Sequence, residues 1–323
     1  MMQNTIVLTG ASGFIGRHFL AEAPPGGAHV RALTRAARAV GADNSKIEWI
    51  VGDLRDDTVW NRLLQPGCIV VNLAYLPIAA PETAVAAIRS MVAACAEAKV
   101  SRLIHCSTIS VFGRTAGGAI DESTPCNPID DYGRQKLAIE QALFELVNGR
   151  FELVVLRPAA VFGTGGQGLQ SLCDSLIRGS WLKNYLRSAL FGQRSMHLVP
   201  VATVAAALRF LCETQRPMNR ELFVVAADDD PTNNFQDVER ILMSELGLPG
   251  YPLPKVALPA VVLRTVLRMR GRSEIDPTCV YACAKLLDWG FVRPVGLADA
   301  LRAFAAQRRE SGANGISGVG QSS

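Results

Sequence analysis

The sequence predicts an α/β fold, in which a doubly wound parallel sheet carries a smaller C-terminal lobe, and three observations support this prediction. Apolar runs of strand length alternate with stretches of helical periodicity through the first half of the chain. Most of these runs are continuous rather than alternating, which is typical of parallel strands buried on both faces. A turn punctuated by glycines, residues 10–16, separates the first run from the first helix.

The predicted elements follow one another along the chain. Strands are expected at Thr5–Thr9, His29–Leu33, Lys46–Val51, Ile69–Leu73, Arg102–Cys106, Leu153–Arg157 and Glu221–Ala226. Helices are expected from Phe14 and over Asp56–Leu64, Pro81–Ala98, Asp130–Asn148, Val201–Glu213, Phe235–Leu246 and Ala260–Met269. Proline and glycine at 24–27 end the first helix, because neither residue continues helical backbone well.

The composition is that of a folded protein with reduced thiols. Of 323 residues, 49% are hydrophobic and 19% are charged, so a packed core is expected rather than disorder. The net charge of +4 is mild and forms no basic stripe, which argues against a nucleic-acid partner. The eight cysteines include no C-x-x-C pair, and no signal peptide or membrane-spanning apolar run is recognisable, so we expect a cytoplasmic protein. The four histidines are scattered and suggest no metal site.

The second half is less regular, and we interpret it as a smaller lobe. Residues 164–310 follow a glycine cluster and contain elements expected to return to the main sheet. Leu258–Arg272 has apolar side chains on one side and arginines on another, and packing on the lobe is favoured over contact with an anionic membrane surface. The tail, 311–323, is rich in glycine and serine and is expected to be disordered.

The turn after the first strand, residues 9–16 (T-G-A-S-G-F-I-G), has the pattern of a dinucleotide-binding loop. Gly10 permits the tight turn, Gly13 lets the backbone approach a pyrophosphate, and Gly16 lets helix and strand pack closely. The helix N-terminus then offers unpaired N–H groups and the positive end of its dipole to the phosphates. Because the pattern stands between a strand and a helix, it predicts a Rossmann-type domain over residues 1–163.

An arginine rather than a carboxylate follows the second strand. A carboxylate there would bind ribose hydroxyls and repel a 2′-phosphate, whereas the Arg35 guanidinium could bind that phosphate. Arg35 therefore favours NADP over NAD, although a solvated arginine would give the same sequence. Asp53, after the third strand, is expected to accept a hydrogen bond from the adenine amino group or to cap the following helix.

Tyr132 and Lys136 are four residues apart and so share one face of the predicted helix. A nearby ammonium favours the phenolate, which would lower the tyrosine pKa from about 10 toward the neutral range that acid–base catalysis needs. Ser107 and Thr108 follow the fifth strand, at the carboxyl edge where open α/β folds bind ligands. These hydroxyls are candidates to hold a reacting carbonyl, and Lys136 is also a candidate to bind the nicotinamide ribose.

Several motifs occur in a fixed order along the chain. They are T-G-A-S-G-F-I-G at 9–16, G-D-L at 52–54, C-S-T-I-S-V-F-G at 106–113, Y-G-R-Q-K at 132–136 and L-R-P-A-A-V-F-G at 156–163. Together they resemble the extended short-chain dehydrogenases/reductases, and more narrowly the NAD-dependent epimerase/dehydratase family that acts on nucleotide sugars. The resemblance is specific over residues 5–163 and looser beyond, although 286–294 is similar to the family's C-terminal motif.

The resemblance implies roles for individual residues. Thr108 matches the family's catalytic Ser/Thr, Tyr132 its acid/base and Lys136 the partner of that tyrosine. Together with Arg35, the expected cofactor contacts are Gly10, Ser12, Gly13, Phe14, Ile15, Gly16, Asp53, Leu54, Ala74 and Lys136. Ser107 and Arg194 are candidates to contact the substrate, Arg194 through a phosphate. A homodimer through a helix bundle that includes Pro81–Ala98 and Asp130–Asn148 is also implied.

Other positions depart from the family pattern. Phe112 stands where members commonly have tyrosine, and Ala86 and Ala160 stand where they often have asparagine. The second of these asparagines often touches the sugar nucleotide. Residues 200–203 (P-V-A-T) replace the usual H-V-D-D segment of the substrate lobe. The residues expected for hydride transfer are therefore intact, while the expected substrate contacts differ.

The residues and the resemblance together predict an NAD(P)-dependent oxidoreductase that moves a hydride to or from a sugar carbon, C4, of a nucleotide sugar. Arg35 favours a 4-ketoreductase using NADPH over a 4-epimerase that keeps NAD bound. A 4,6-dehydratase is disfavoured, because Thr108 is followed by Ile109 and Ser110 rather than by the acidic pair that eliminates water. Two alternatives stay open: a reductase of an apolar ketone such as a steroid or flavonoid, and a non-catalytic NADP-sensing protein.

Overall fold

The computed structural model describes residues 5–36, 45–75, 81–115, 118–254 and 278–317. The predicted helix Ala260–Met269 and the segment Leu258–Arg272 lie outside these residues. Within them, the strands are β1 (Thr5–Thr9), β2 (His29–Thr34), β3 (Ile47–Val51), β4 (Ile69–Asn72), β5 (Arg102–Cys106), β6 (Ala119–Ile120), β7 (Glu152–Pro158), β8 (Ala160–Phe162), β9 (Leu198–Pro200), β10 (Glu221–Val225) and β11 (Val280–Tyr281).

A seven-stranded sheet forms the centre of the molecule, in the order β10-β7-β5-β4-β1-β2-β3. Every neighbouring pair in this sheet is parallel. β1 therefore lies between β2 and β4, so the chain reverses its winding direction there and leaves a crevice at the carboxyl edge. The predicted doubly wound parallel sheet is confirmed.

Helices cover both faces of this sheet. They are α1 (Phe14–Ala21), α2 (Thr58–Leu63), α3 (Pro81–Glu97), α4 (Asp131–Val147), α5 (Gln170–Arg178), α6 (Trp181–Phe191), α7 (Val201–Glu213), α8 (Phe235–Glu245), α9 (Ala284–Asp288) and α10 (Leu297–Ser317). Alternation along β1 explains the two layers: Ile6 and Leu8 pack with α1 and α7, whereas Val7 packs with α2, α3 and α4.

Two features of the second half differ from the sequence expectation. Residues 170–191, for which no element was predicted, form α5 and α6, and a third apolar cluster joins α5 to α8 and α10. Residues 311–317, expected from their composition to be disordered, continue α10, while residues 318–323 lie outside the described residues. Glycine and serine lower helix propensity, but a helix already begun at Leu297 adds one hydrogen bond for each further residue.

The second half also contributes a strand to the main sheet, because β10 pairs with β7 along its length. Two small parallel pairs, β8 with β9 and β6 with β11, lie outside that sheet. β11 carries the chain back to β6 in the first half, and β8 and β9 bring residues 160 and 198 side by side. The boundary at residue 163 thus divides the sequence but not the sheet.

Candidate active site

The turn between β1 and α1 forms a cradle, the glycine cradle, in which positions 10 and 16 leave no room for a side chain. Gly10 has a φ of 69°, and a Cβ atom there would lie 2.8 Å from the backbone nitrogen of Ala74. A Cβ atom on Gly16 would meet the carbonyl oxygen of Gly10 and lie 2.8 Å from the Cα of Ala11. These close approaches are the structural reason for the predicted glycine pattern.

The helix that follows the cradle presents its N-terminus to this crevice. α1 has Gly13 as its N-cap, with no side-chain hydrogen bond to the cap and no acidic residue in the first turn. Its first N–H groups are therefore left for another acceptor, and the helix dipole favours an anion there. Both properties fit the pyrophosphate of a dinucleotide, which Gly10, Ser12 and Gly13 would hold.

A cleft of about 270 Å³ continues from the cradle across the carboxyl ends of β1, β2, β3 and β4. Of the predicted cofactor residues, its lining includes Gly10, Ser12, Gly13, Arg35, Asp53, Leu54 and Ala74. Phe14 and Ile15 are placed differently: Phe14 packs against Gly166, and Ile15 packs against the core. Any cofactor contact of these two residues would therefore be made through the start of α1.

The structure changes the interpretation of Asp53. Its carboxylate binds the Arg55 guanidinium, with an Nη2–Oδ2 distance of 2.7 Å, and accepts the Arg55 backbone N–H. The hydrogen bonds from Arg55 hold the pKa of Asp53 well below its usual range. Asp53 does not cap α2, which begins at Thr58 with Asp57 as its N-cap. Arg35 is exposed at the same end of the cleft, close enough to help lower the pKa of Asp53.

Ser107 and Thr108 lie directly after β5, as predicted. Both side chains are buried, and the Ser107 Oγ has no hydrogen-bond partner among the described residues. Thr108 is the N-cap of a short 3-10 turn, where its Oγ1 accepts from the Ser110 backbone N–H and donates to the Ser110 Oγ, both at 3.2 Å. The cap fixes the Thr108 hydroxyl at the carboxyl edge of the sheet.

Tyr132 lies in the first turn of α4 and is 39% exposed. Asp130 is the N-cap of this helix and accepts the Gly133 N–H at 2.7 Å, which sets where the tyrosine starts. Burial raises the pKa of Tyr132 to about 12, and a hydrogen bond with Thr108 opposes that rise. Thr108 is thus close enough to influence the pKa of Tyr132, but the structure does not show the lowered pKa expected from Lys136.

Lys136 lies one turn further along α4 and is only 4% exposed. Its Nζ donates to the backbone oxygen of Cys106, at 2.9 Å, rather than to the tyrosine oxygen. Burial lowers the pKa of Lys136, and the nearby Glu140 carboxylate opposes this effect. Because the ammonium donates to the Cys106 carbonyl and not to the tyrosine oxygen, it makes no hydrogen bond that would stabilise the Tyr132 phenolate.

A ring that sequence reasoning missed stands between these groups. The Tyr75 ring packs edge-on against Tyr132, with centroids 5.2 Å apart, and the Lys136 Nζ lies 5.5 Å from the Tyr75 centroid. Tyr75 follows Ala74 in the cleft lining. Its position in the sequence could have identified it, because Tyr75 lies three residues after the end of β4, at the edge of the sheet where such folds bind ligands.

A buried polar chain beneath the site was also missed. The Thr9 Oγ1 donates to the Asn72 Oδ1 at 2.6 Å, and the Asn72 amide meets the His105 Nδ1 at 3.1 Å. Burial lowers the pKa of His105 well below its usual value, and the Lys136 charge adds to the effect. The Thr9 oxygen also accepts from the Ala74 N–H, which fixes the end of β4 beside the glycine cradle.

The predicted substrate residue Arg194 lies away from this group, in the lobe. Its guanidinium carbon is 5.8 Å from the Phe191 ring centroid, at the end of α6. The described contacts do not link it to Tyr132, so its role in binding a substrate phosphate stays a prediction. Among the described residues, no group of histidine, cysteine and acidic side chains has the arrangement of a metal site.

A second buried polar cluster surrounds His197. The His197 Nδ1 lies 2.6 Å from the Asp228 Oδ2, and its Nε2 lies 3.5 Å from the Cys279 Sγ. Burial works against protonation, but the bonds to Asp228 and Cys279 outweigh it and raise the pKa of His197 to about 9. His197 has a φ of 52°, in the left-handed region, so the cluster holds a strained backbone.

Several known proteins are similar to this chain in sequence. The NAD dependent epimerase/dehydratase family matches residues 6–225. A dTDP-4-dehydrorhamnose reductase of Mycobacterium tuberculosis is 34% identical over 178 residues, 50% of this chain and 52% of the reductase. The chain therefore spans about half the length of that curated relative. The sterol demethylase protein B of Methylococcus capsulatus is 25% identical over 284 residues, 84% of this chain and 82% of that protein.

The fold has counterparts among solved structures. One is a UDP-glucuronic acid 4-epimerase variant from Bacillus cereus, in complex with UDP-4-deoxy-4-fluoro-glucuronic acid and NAD. Its TM-score is 0.69 at 20% identity, over 95% of this chain and 99% of that one. This likeness concerns the fold, whereas the family match covers most of the chain, including the glycine cradle, Thr108, Tyr132 and Lys136. The chain belongs to the NAD dependent epimerase/dehydratase family.

Proposed function

We propose that this protein is an NAD(P)-dependent oxidoreductase acting at C4 of a nucleotide-linked sugar, as a 4-ketoreductase or a 4-epimerase. The observation that carries the proposal is the position of Thr108, Tyr132 and Lys136. Thr108 follows the carboxyl end of β5, and Tyr132 and Lys136 lie in the first two turns of α4. The Tyr75 ring, which lines the cleft that begins at the glycine cradle, contacts Tyr132. The dTDP-4-dehydrorhamnose reductase among its relatives supports a sugar substrate.

The chain's own residues would manage the proton and the substrate oxygen. The bound nicotinamide supplies or accepts the hydride. Tyr132 exchanges a proton with the sugar oxygen, and the hydroxyl of Thr108, close to Tyr132, holds that oxygen in reach. Lys136 orients the cofactor ribose and fixes the end of β5 through the Cys106 carbonyl. Tyr75 covers Tyr132 on one side and limits its contact with water.

The protonated form of Tyr132 suits the reductive half of the proposed reaction, in a ketoreductase or an epimerase. With a pKa raised to about 12, the phenol is protonated at neutral pH and can donate to an oxygen that gains negative charge. Oxidation would require the same group to accept a proton, for which the phenolate must first form. A ketoreductase uses the tyrosine in the form that burial stabilises.

Arg35 supports NADP as the preferred cofactor. It is exposed at the end of β2, in the cleft lining, where it could meet a 2′-phosphate without being desolvated first. The nearby acid, Asp53, is bound to Arg55, so its charge is partly neutralised. Both features reduce the repulsion that a carboxylate would exert on a 2′-phosphate.

A reductase of an apolar ketone is the second candidate. The relative that matches the largest share of this chain among those described above is named a sterol demethylase protein. Ala160 is exposed at the start of β8, where the family often has a polar sugar-nucleotide contact. A methyl group at that position suits an apolar substrate better than a sugar hydroxyl.

The experiment begins with the cofactor retained by the purified protein, followed by titration of NADPH and NADH into the emptied form. We expect loose binding selective for NADPH, and NADPH oxidation with a dTDP-4-keto-6-deoxyhexose. Turnover with a 3-ketosteroid but with no keto sugar would establish the second candidate. Tightly retained NAD that persists through turnover would establish the epimerase, and binding of neither nucleotide would overturn the proposal.

The proposal includes a homodimer. α3 and α4 lie side by side on one face of the sheet, and their inward residues Met91 and Leu143 already pack on it. Their outer faces are the surface at which a second copy would pack. Light scattering of the purified protein should give twice the chain mass, and a single chain mass at micromolar concentration would contradict the dimer.

A further inference from the structure

Helix α6 is amphipathic in the reverse of the usual sense. Its outward residues Trp181, Leu182 and Leu186 are exposed, with Leu186 at 58%, while the polar Asn184 and Ser188 are buried. A surface helix normally turns its apolar stripe to the core and its polar residues to water. A contiguous exposed apolar surface of this kind marks an interaction site more often than a scattered leucine does.

Hydrogen bonds fix α6 in this orientation. The buried Asn184 amide donates to the Ser175 carbonyl at 2.7 Å and accepts from the Ser175 hydroxyl at 2.9 Å, which ties α6 to the end of α5. On the same inner side, the Gln236 amide of α8 reaches the Ser188 carbonyl. Rotating α6 to bury its leucines would break these bonds and leave buried polar groups unpaired.

The apolar surface extends beyond α6. Ile177, at the end of α5, and Leu253 are also exposed, and Tyr185 donates to the carbonyl of Pro254. We name the surface formed by Ile177, Trp181, Leu182, Leu186 and Leu253 the lobe patch. It lies on the opposite half of the sequence from Tyr132, and no step of the proposed reaction uses it.

Charge indicates what the lobe patch contacts. No aspartate or glutamate occurs between Asp174 and Glu213, whereas this stretch contains Arg178, Lys183, Arg187, Arg194 and Arg209. Arg178 and Lys183 are exposed beside the apolar residues of the patch. Exposed leucines with tryptophan, flanked by cations and free of acids, match the interface of an anionic bilayer, where apolar groups enter the acyl boundary and cations meet the headgroups.

We propose that the lobe patch docks the protein on an anionic phospholipid surface, with α6 lying in the plane of the interface. A protein partner would need only the apolar contact, whereas the absence of acids over the whole stretch favours a negatively charged surface. Among the described residues, no helix is long and apolar enough to cross a membrane, so α6 would lie on the bilayer. The proposal does not depend on which reaction Tyr132 serves.

The test is co-sedimentation of the full chain with vesicles of phosphatidylcholine containing about a third phosphatidylserine, compared with phosphatidylcholine alone. We expect binding to the anionic vesicles that weakens as salt is raised. A variant with Trp181→Ser, Leu182→Ser and Leu186→Ser should bind about tenfold more weakly or worse. Lys183→Glu should reduce binding to anionic vesicles while leaving the apolar residues in place.

Val292 provides a matched control, because it is 79% exposed and lies outside the patch. The Val292→Ser variant should bind vesicles like the original chain, and both variants should keep the circular dichroism and NADPH affinity of a folded protein. No binding to anionic vesicles, equal binding to both compositions, or full binding by the triple variant would overturn the proposal. A triple variant that only lowers the molar mass in light scattering would show instead that the patch joins two copies.

Discussion

Lys136 and His197 are both buried bases, yet burial leaves them in opposite states. Lys136 donates to a neutral carbonyl, and burial lowers its pKa. His197 meets the Asp228 carboxylate, and that bond together with Cys279 raises its pKa to about 9 against the effect of burial. A buried charge keeps its proton when an opposite charge faces it, and holds the proton less firmly when only a dipole does.

This difference in pKa separates the site proposed for proton transfer from a cluster that holds the fold together. At the carboxyl edge of β5, burial shifts three pKa values so that the neutral form of each group is favoured. The pKa values of Lys136 and His105 are lowered, and that of Tyr132 is raised. In the lobe, the Asp228 carboxylate accepts hydrogen bonds from His197, from the Tyr281 N–H and from the Asn233 amide. These three donors stabilise its negative charge. The first cluster can respond to a ligand, and the second holds a strained turn in place.

The largest expected effect concerns Tyr132. We expect Tyr132→Phe to lower turnover of a keto substrate by about 10³-fold, because the proton donor is lost. NADPH affinity should change little, since the glycine cradle and Lys136 stay intact. Stopped-flow absorbance at the NADPH band, with a separate fluorescence titration of the cofactor, measures the two effects.

Tyr185→Phe is the matched control for this variant. It removes a hydroxyl whose described partner is the Pro254 carbonyl, in the lobe. Its turnover should stay near that of the unmodified protein. Equal losses in the two variants, or none in Tyr132→Phe, would show that Tyr132 is not the acid/base.

The next effect is a pH dependence of stability in the lobe. Since the folded pKa of His197 is raised to about 9, its protonation stabilises the fold fully below the unfolded value of about 6.5. That stability is lost as the pH rises from there through about 9, and the loss is at most about 3 kcal/mol. Asp228→Asn should lower stability at pH 6 and flatten this slope, as measured by urea unfolding at several pH values.

The neighbouring carboxylate serves as its control. Asp229 binds Arg293, and that ion pair and its hydrogen bonds hold the pKa of Asp229 below its usual value despite burial. Its contribution is present above its unfolded pKa and is lost only in acid. Asp229→Asn should therefore leave the slope between pH 6.5 and 9 unchanged. An unchanged slope in Asp228→Asn as well would show that His197 is not the titrating group.

A smaller effect concerns the exposed charge of Arg35. Replacing it with alanine should weaken NADPH binding by about tenfold, the scale of one charge-assisted hydrogen bond. NADH binding should change much less, because NADH has no 2′-phosphate. Arg55→Ala is the comparison, since it frees Asp53 and should weaken NADPH binding by repulsion alone. Parallel loss of both nucleotides in Arg35→Ala would remove the argument for NADP.

The smallest effect compares the stability changes caused by replacing two lysines, Lys136 and Lys285. Lys136→Met should raise stability by about 1 kcal/mol, because it removes a buried charge whose burial cost the nearby Glu140 only partly offsets. Turnover should fall in the same variant. Lys285→Met, which breaks a 2.7 Å ion pair with Glu221, should destabilise instead. A clear loss of stability in Lys136→Met would mean that its bond to Cys106 outweighs the cost of burial.

Local pattern was enough to predict the sheet and the cleft. β5 and α7 have the bounds predicted from the short strand-like segment at 102–106, with Leu103 and Ile104 at its centre, and from the helical pattern of 201–213. Gly10 and Gly16 were recognisable because their spacing follows from close backbone approaches within one turn. Tyr132 and Lys136 were recognisable because one helical turn separates them.

The remainder depends on contacts between distant parts of the chain. His197, Asp228 and Cys279 meet only after β9 and β11 are in place, and no spacing in the sequence links them. The pKa of Tyr132 was expected to be low from its lysine neighbour, but burial sets the opposite direction, and Lys136 donates to the Cys106 carbonyl instead. α6 was missed although Trp181, Leu182, Tyr185, Leu186 and Ala189 repeat at helical spacing, and nothing in the sequence alone indicated that its leucines face outward.

The pairing of β10 with β7 has a consequence for how the chain folds. β7 has the fully buried apolar run Leu153–Leu156, and β10 covers its outer edge only when residues 221–225 have been made. Until then, the growing chain exposes β7 as an unpaired edge strand, to which a strand of another copy could hydrogen-bond. A fragment that ends at residue 163 should therefore aggregate, whereas in one extended through residue 225 the edge of β7 is covered by β10. Truncated or fused forms of this protein should therefore include the chain through residue 225.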